Sequence, residues 1–225
     1  MTCTRRDFVS GAGAIAVVAS TGLATSVTLA TEKEEKKIRY AMVHDETSCI
    51  GCTACMDACR TTNKVSEGVS RLEIIRSEPY GEFPNVEYEF FRQSCQHCTN
   101  APCVAVCPTG ASFVDPETGI VDVHSDLCVG CQYCIAVCPY RVRFIHPEKK
   151  SADKCNFCRD TNLAEGKQPA CVEACPTKAL TFGDMNDHSS EVYKKVRENP
   201  VYRTKVALGT EPNLYHIPFG KGEHR

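Results

Sequence analysis

The chain lacks several features that would point to common classes of protein. It has no tryptophan among 225 residues, only 8% aromatic residues, and a formal net charge of −2. A chain this close to neutral lacks the basic excess of nucleic-acid-binding domains. After residue 30 there is no run of about eighteen apolar residues, the length expected of a transmembrane helix. We therefore expect no nucleic-acid partner, and membrane association only through a partner protein.

Motifs of catalytic and cofactor sites are also missing. The sequence contains no Ser/His/Asp set, no phosphate-binding loop, no GxGxxG fingerprint and no CxxCH haem-attachment motif. These motifs would be needed for hydrolytic, nucleotide-dependent or c-type haem chemistry. We therefore predict that the protein is not an enzyme with its own substrate site.

Cysteine, by contrast, is abundant. The chain has 17 cysteines, and all but Cys3 fall into four quartets. Because the remaining apolar content is modest, bound metal is expected to help stabilise the fold. The quartets are Cys49, Cys52, Cys55 and Cys59; Cys95, Cys98, Cys103 and Cys107; Cys128, Cys131, Cys134 and Cys138; and Cys155, Cys158, Cys171 and Cys175.

The spacing within the quartets indicates iron–sulfur clusters. Residues 128–139 match C-x2-C-x2-C-x3-C-P, the bacterial 4Fe-4S signature, at each position. The second and fourth quartets also end in Cys-Pro, whereas Arg60 follows Cys59. Thiolates at steps of three can wrap a cubane, and the fourth cysteine of such a run reaches the other cluster of its module. Four quartets therefore predict four 4Fe-4S clusters.

Two other uses of the thiols remain open at this point. Disulfides would suit an exported protein, although a disulfide-rich chain rarely repeats one tight spacing four times. Zinc is usually held by two C-x2-C knuckles, whereas here three cysteines follow one another at steps of three. Metal analysis separates these alternatives.

The segments around the quartets predict an α+β fold. Each Cys-Pro is followed by a short alternating or β-branched run typical of a strand. The repeated unit is a strand, a cysteine-bearing loop, a short helix around the fourth cysteine and another strand. Hairpins are predicted over residues 71–92 and 111–124. We expect two bacterial-type ferredoxin-like modules with inserted β-hairpins, with 4Fe-4S units near residues 40–70, 86–118, 119–148 and 151–183.

The N-terminal residues predict a twin-arginine signal peptide. Arg5 and Arg6 precede a weakly apolar run of small residues from Gly11 to Ala30, and a charged stretch follows. We expect export of the folded protein to the periplasm. The predicted organisation is a signal over 1–30, a charged linker over 31–37, the cluster domain over 38–186, and a C-terminal helix with an extended tail over 187–225. Ser189 or Ser190 is the expected cap of that helix.

Several stretches resemble a known family. They are MVHDETSCIGCTACMDACR at residues 42–60, SCQHC, CVGCQYCIAVCPYRVRFIHP, ADKCNFC and ACVEACPTKALTFG. They resemble four-cluster ferredoxin-like subunits of bacterial respiratory oxidoreductases, especially the NrfC-type subunits of formate-dependent nitrite reduction. The resemblance implies electron relay from an NrfD-like membrane quinol dehydrogenase to a multihaem c-type cytochrome that reduces nitrite. The alternative is an electron-transfer subunit of a molybdopterin oxidoreductase of the dimethyl sulfoxide, polysulfide, tetrathionate or formate type.

The same resemblance implies which cysteines share a cluster. The first quartet pairs with the fourth and the second with the third, and each fourth cysteine crosses to the partner quartet. The implied ligand sets are Cys49, Cys52, Cys55 and Cys175; Cys59, Cys155, Cys158 and Cys171; Cys95, Cys98, Cys103 and Cys138; and Cys107, Cys128, Cys131 and Cys134.

Other side chains near the quartets receive weaker predictions. Three histidines are expected to pack or form hydrogen bonds, because the quartets are complete without them: His44, His97 and His124. Three basic residues are expected either to raise cluster potentials, to contact an acidic partner, or simply to be solvated: Arg141, Arg143 and Lys154.

Overall fold

The computed structural model describes residues 37–220. The predicted signal peptide, all of the charged linker except Lys37, and residues 221–225 lie outside the described residues. Within the described range, no helix combines the length and the apolar character needed to cross a membrane.

The described chain alternates short strands and short helices. The strands are β1 Tyr40–Asp45, β2 Leu72–Arg76, β3 Phe90–Ser94, β4 Ser112–Val114, β5 Val121–Val123, β6 Phe144–Ile145, β7 Ala152–Asp153, β8 Leu180–Asp184 and β9 Leu214–Ile217. The helices are α1 Ala54–Asn63, α2 Pro102–Ala105, α3 Tyr133–Ala136, α4 Ala170–Glu173 and α5 Glu191–Glu198, with 3₁₀ turns at Leu163–Glu165 and Val206–Leu208.

A three-stranded sheet joins the two ends of the described chain. Its strand order is β8-β1-β9, with β1 antiparallel to β8 and parallel to β9. Met42 in β1 lies opposite Phe182 on one side and Leu214 on the other. A domain limit at residue 186 would therefore separate β9 from β1, so the segment predicted as a tail completes the sheet.

The two faces of β1 pack against different parts of the protein. Alternate residues of a strand point to opposite faces. Met42 joins the apolar core that contains Cys55 and Cys171. Ala41 and Val43 pack with Val192 of α5 on the other face. The sheet therefore separates the cysteine-bearing core from the C-terminal helix.

Two antiparallel strand pairs lie where the sequence predicts hairpins. Strand β2 pairs with β3, with Leu72 opposite Ser94, and β4 pairs with β5, with Ser112 opposite Val123. In the second turn the Asp115 carboxylate accepts hydrogen bonds from two backbone N–H groups, at 2.9 and 3.1 Å. Strands β6 and β7 form a third antiparallel pair.

The short helices begin near the third cysteine of each quartet. The prediction of a helix around the fourth cysteine is wrong for three quartets, because Cys107, Cys138 and Cys175 lie beyond the ends of α2, α3 and α4. A proline follows each of them, and the residue before a proline is disfavoured in the helical conformation. Cys59, which has no proline after it, lies inside α1.

The cysteines themselves form much of the buried core. One cluster of buried residues includes Cys59, Cys95 and Cys155, and a second includes Cys103 and Cys134. The apolar residues therefore pack around the cysteines in two separate clusters.

Candidate metal centres

The sixteen described cysteines are all free, and the ligand sets that the resemblance implies divide them into four groups. We call these groups site 1 to site 4. Site 1 contains Cys49, Cys52, Cys55 and Cys175; site 2 contains Cys59, Cys155, Cys158 and Cys171; site 3 contains Cys95, Cys98, Cys103 and Cys138; and site 4 contains Cys107, Cys128, Cys131 and Cys134.

Sites 1, 3 and 4 each line a cavity. The cavity at site 1 is lined by all four of its cysteines. The cavities at site 3 and site 4 are each again lined by their complete set of four. In each of these sites, three cysteines of one quartet meet the fourth cysteine of another.

Site 2 is defined by contacts rather than by a cavity. Its four cysteines are all buried. The side-chain amide of Asn63 lies 3.4 Å from Sγ of Cys158 and 3.8 Å from Sγ of Cys59. Burial, followed by the negative charges of Cys155, Cys171 and Cys158, raises the pKa of the Cys59 thiol. The Asn63 amide thus lies beside Cys59 and Cys158, and Cys59 shares one buried core cluster with Cys155 and Cys171. The resemblance implies these four residues for one cluster.

All four loops share one backbone feature. The residue just before the second cysteine has a positive φ angle: Gly51 at 70°, His97 at 44°, Gly130 at 67° and Phe157 at 54°. A side chain at Gly51 would also clash with the ring of Phe90, because a Cβ atom at this position would overlap the ring. Left-handed residues of this kind turn the backbone sharply. The four quartets therefore repeat in conformation as well as in spacing.

The two loops without glycine at this position contact each other. His97 and Phe157 stack with ring centroids 3.7 Å apart. Nδ1 of His97 accepts a hydrogen bond from the backbone N–H of Val121 at 3.2 Å. His97 therefore packs between sites 2 and 3, in line with the prediction of a packing and hydrogen-bonding role.

Burial makes the free thiolates unfavourable. It raises the pKa of Cys95 to about 12 and the pKa values of Cys98 and Cys171 to about 11. A buried thiol behaves in this way because the low dielectric disfavours its charged form. Binding of a cation removes that cost, since the thiolate is the metal-binding form.

Donor groups point at several of the sulfur atoms. Sγ of Cys107 accepts from the backbone N–H of Ser112, and Sγ of Cys128 accepts from the backbone N–H of Ala152, both at 3.4 Å. Hydrogen bonds to cluster sulfurs are among the factors that set reduction potential. Four soft sulfur donors with N–H groups directed at them fit an iron–sulfur cluster.

A separate group of ligand-type side chains lies beside site 1. Glu46 lies 3.3 Å from Nδ1 of His216 and accepts a hydrogen bond of 2.6 Å from the hydroxyl of Tyr202. Burial and then the charge of His216 lower the pKa of His44 to about 3, and the charge of Arg92 acts in the same direction. A further cation here would face the fixed charge of Arg92, which opposes metal binding by this group.

The remaining predicted residues differ in their surroundings. His124 stacks on Phe113 with centroids 4.1 Å apart. Arg141 is exposed. Lys154 is buried and forms an ion pair of 3.3 Å with Asp122.

Sequence reasoning missed Asn63 and Arg92. Asn63 lies at the end of a helix whose length the missing proline after Cys59 could have indicated. Arg92 carried no such signal, because a charged residue in a predicted strand usually faces solvent, whereas this side chain is fully buried.

Comparisons with known proteins support iron–sulfur clusters in this chain. A family model described as a 4Fe-4S dicluster domain matches residues 86–185. The NrfC homolog of Haemophilus influenzae is 76% identical over 223 residues, 99% of this chain and 98% of that protein. NrfC of Escherichia coli K12 is 66% identical over 224 residues, 99% of both chains. The thiosulfate reductase electron transfer subunit PhsB of Salmonella typhi is 50% identical over 178 residues, 79% of this chain and 91% of that protein.

The fold, the cysteine sites and these relatives define an iron–sulfur electron-transfer subunit of an oxidoreductase complex. Within that class, the chain belongs to the NrfC family.

Proposed function

We propose that each of the four sites binds one 4Fe-4S cluster and that the protein relays electrons through them. The ligand sets are those of sites 1 to 4, so each cysteine of the quartets serves one cluster. The observation that carries this proposal is that three cavities are each lined by four cysteines, three from one quartet and one from another.

This arrangement favours clusters over the two alternatives. Disulfides would join the thiols in pairs, whereas the cysteines gather in fours and are free. A zinc site would draw on two C-x2-C pairs, whereas sites 1 and 4 each draw three cysteines from one loop at steps of three.

When bound, each cluster supplies one-electron redox chemistry. The chain's own residues hold the clusters, limit access of water and direct N–H groups at the sulfurs. The protein is proposed to have no substrate site of its own, so its partners perform the chemistry at both ends.

The sites differ in their access to the surface. All four cysteines of site 2 are buried, as are three of site 3, whereas Cys131 of site 4 is exposed and three cysteines of site 1 are half-buried. Exposed apolar side chains flank sites 1 and 4: Ile50 is 61% exposed at site 1, and Val129 is 68% exposed at site 4. Electrons are therefore proposed to enter and leave at sites 1 and 4.

The proposed partners follow from the family. The protein is proposed to be periplasmic and exported through the twin-arginine route. Electrons are proposed to come from a membrane quinol dehydrogenase of the NrfD type and to pass to a multihaem cytochrome c nitrite reductase. The NrfC relatives at 76% and 66% identity support this assignment.

A second candidate is an electron-transfer subunit of a molybdopterin oxidoreductase. The 50% identity to a thiosulfate reductase electron transfer subunit favours it. The two candidates share the cluster sites and differ only in the partner.

Anaerobic purification tests the cofactor. We expect brown protein with about sixteen iron and sixteen acid-labile sulfide per chain, as four cubane clusters require. Cys131→Ser should remove or convert one cluster, which electron paramagnetic resonance would detect. Folded, freshly isolated protein without acid-labile sulfide, or a Cys131→Ser variant with four unchanged clusters, would contradict the proposal.

Co-purification from anaerobically grown cells tests the partner. Capture of a multihaem cytochrome, and re-oxidation of the reduced protein by nitrite only when that cytochrome is present, supports the nitrite pathway. Capture of a molybdopterin protein, with re-oxidation by a sulfur compound instead, supports the second candidate.

A further inference from the structure

Arg143 is buried between two cysteine sites. It lines both the cavity of site 3 and the cavity of site 4. Its side chain is buried, and neither Nη1 nor Nη2 has a hydrogen-bond partner among the described residues. In the described part of the chain, no acidic side chain forms an ion pair with it.

Arg92 is a second buried arginine, and its cross-strand partner Ile74 lines the cavity of site 1. The Arg92 side chain is fully buried. Nε donates to Ser94 at 3.1 Å, whereas the two terminal nitrogens have no hydrogen-bond partner in the part of the chain that the structure describes. Within residues 37–220 it has no acidic partner either. The positive charge of Arg92 opposes burial by lowering the pKa of Cys171 of site 2 and of Cys55 of site 1.

Thiolates are the negative groups that face both guanidinium groups. Burial lowers the pKa of Arg143, but Cys103 and Cys95 of site 3 and Cys134 of site 4 outweigh burial and raise it. The pKa of Arg92 is raised in the same way, against burial, by Cys171, Cys155 and Cys55. Each arginine therefore interacts with cysteines of two neighbouring sites.

Lys154 shows how the protein normally accommodates a buried cation. Its Nζ forms an ion pair with Asp122 at 3.3 Å and donates to the backbone carbonyls of Val121 and Cys155. An isolated buried charge is strongly unfavourable unless a partner compensates it. Arg143 and Arg92 lack such a partner among the described side chains, so the compensating charge must come from the cysteine sites.

We propose that Arg143 and Arg92 are the charge-compensating residues of the two cluster pairs, with Arg143 acting on the clusters of sites 3 and 4 and Arg92 on those of sites 1 and 2. This inference rests on the proposed function, since it requires a cluster at each site. Each added electron makes a cluster and its thiolates one charge more negative. A fixed positive charge in a buried site therefore stabilises the reduced form and raises the potential.

Redox titration of the purified holoprotein, followed by electron paramagnetic resonance, tests this role. Arg143→Met removes the charge and keeps most of the side-chain volume. We expect the reduced form of two of the four clusters to be disfavoured about tenfold, a downward shift of about 59 mV for one electron. Arg143→Lys keeps the positive charge, so the reduction potentials of the two clusters should stay close to those of the wild-type protein. Arg141→Gln, at an exposed arginine two residues away, is the matched control and should shift none.

Arg92→Met should lower the potentials of the other two clusters, with exposed Arg76→Gln in the neighbouring strand as its control. If a methionine variant instead loses two clusters, restoration of both by the lysine variant also supports the proposal, because charge is then required for binding. Unchanged potentials, equal shifts in all four clusters, or a loss that lysine does not restore would overturn it. Wild-type protein without four clusters would contradict the proposed function, whereas four clusters that do not respond to these variants would contradict only this inference.

Discussion

The residue that follows the fourth cysteine differs between the first quartet and the other three, and that difference changes the structure around them. Where Cys-Pro occurs, the helix lasts four residues and the fourth cysteine lies beyond it. Where Arg60 replaces the proline, α1 continues for ten residues and contains the fourth cysteine. Proline removes a backbone donor and clashes with the preceding turn, so its absence allows the helix to continue.

The longer helix provides contacts that the shorter ones cannot. Its last residue, Asn63, lies beside the sulfurs of Cys59 and Cys158. The guanidinium of Arg60 donates to the backbone carbonyls of Val65, Ser66 and Val69 at 2.8 to 3.3 Å. A break in the repeat therefore adds a hydrogen-bond donor to site 2, the most deeply buried of the four sites.

The largest expected effect is a loss of iron when the fourth cysteine of the first quartet is replaced. It tests whether Cys59, which lies inside a helix, serves the cluster of another quartet as the fourth cysteines beyond a helix are proposed to do. Cys59→Ala should remove about four iron per chain. Adding Cys155→Ala, at the same site, should cause no further loss. Adding Cys52→Ala instead should remove about four more iron, because Cys52 belongs to site 1.

Iron and sulfide analysis of the two double variants measures this difference. Thr61→Ala, at an exposed position of the same helix, is the control and should retain all iron. Equal iron loss in the two double variants would contradict the assignment of Cys59 to site 2.

The next effect comes from restoring the proline that the first quartet lacks. Arg60→Pro should reduce the free energy of unfolding by about 3 kcal/mol, because proline in a helix interior removes one hydrogen bond and clashes with the preceding turn. Anaerobic denaturant titration, followed by loss of the visible cluster absorbance, measures the change. Arg60→Ala is the control, since it removes the side-chain contacts and keeps the helix. Equal midpoints for the two variants would show that helix length is unimportant.

A smaller effect is expected from the donor at the end of α1. Asn63→Ala removes the amide that lies 3.4 Å from Sγ of Cys158. A typical hydrogen bond contributes about 1 kcal/mol to the stability of a protein, and a hydrogen bond to a charged group about 1.5 to 3 kcal/mol. We expect the potential of one cluster to fall, because the bond favours the more negative, reduced state. Redox titration would reveal this shift, and unchanged potentials for all four clusters would exclude the role of Asn63.

The smallest effect concerns a helix that carries no cysteine. Ser190 caps α5, accepting a hydrogen bond from the backbone N–H of Tyr193 at 3.3 Å. The four cysteine-bearing helices have no side-chain N-cap. Ser190→Ala should cost about 1 kcal/mol of stability and leave the iron content unchanged.

Ser189→Ala is the natural control for this cap, because the Ser189 hydroxyl donates to the carboxylate of Asp187, whereas Ser190 accepts from the backbone N–H at the start of the helix. Denaturant unfolding of the two variants separates their effects. A loss of stability in Ser189→Ala equal to that in Ser190→Ala would contradict the assignment of the cap.

Local sequence patterns predicted many elements correctly. The turn at Asp115 lies between two short alternating runs, and the structure pairs those runs as β4 and β5. Either Ser189 or Ser190 was expected to cap the last helix, and the structure selects Ser190. These features depend on residues a few positions apart, so sequence patterns are sufficient to find them.

Other features depend on contacts between distant residues and could not be predicted in this way. The parallel pairing of β9 with β1 joins segments about 170 residues apart, as for Met42 and Leu214. His97 and Phe157 have positive φ angles, which are uncommon for residues other than glycine. Their residue types therefore do not indicate this conformation. The stacking of these two rings appears only when the two loops meet.

The sequence by itself determined the sixteen cysteines of the four quartets and their spacing, because both are set by neighbouring residues along the chain. Only the tertiary structure decided which quartets share a site and where the two unpaired arginines are buried. Those outcomes depend on how segments far apart in sequence pack together, and packing of that kind leaves no local pattern.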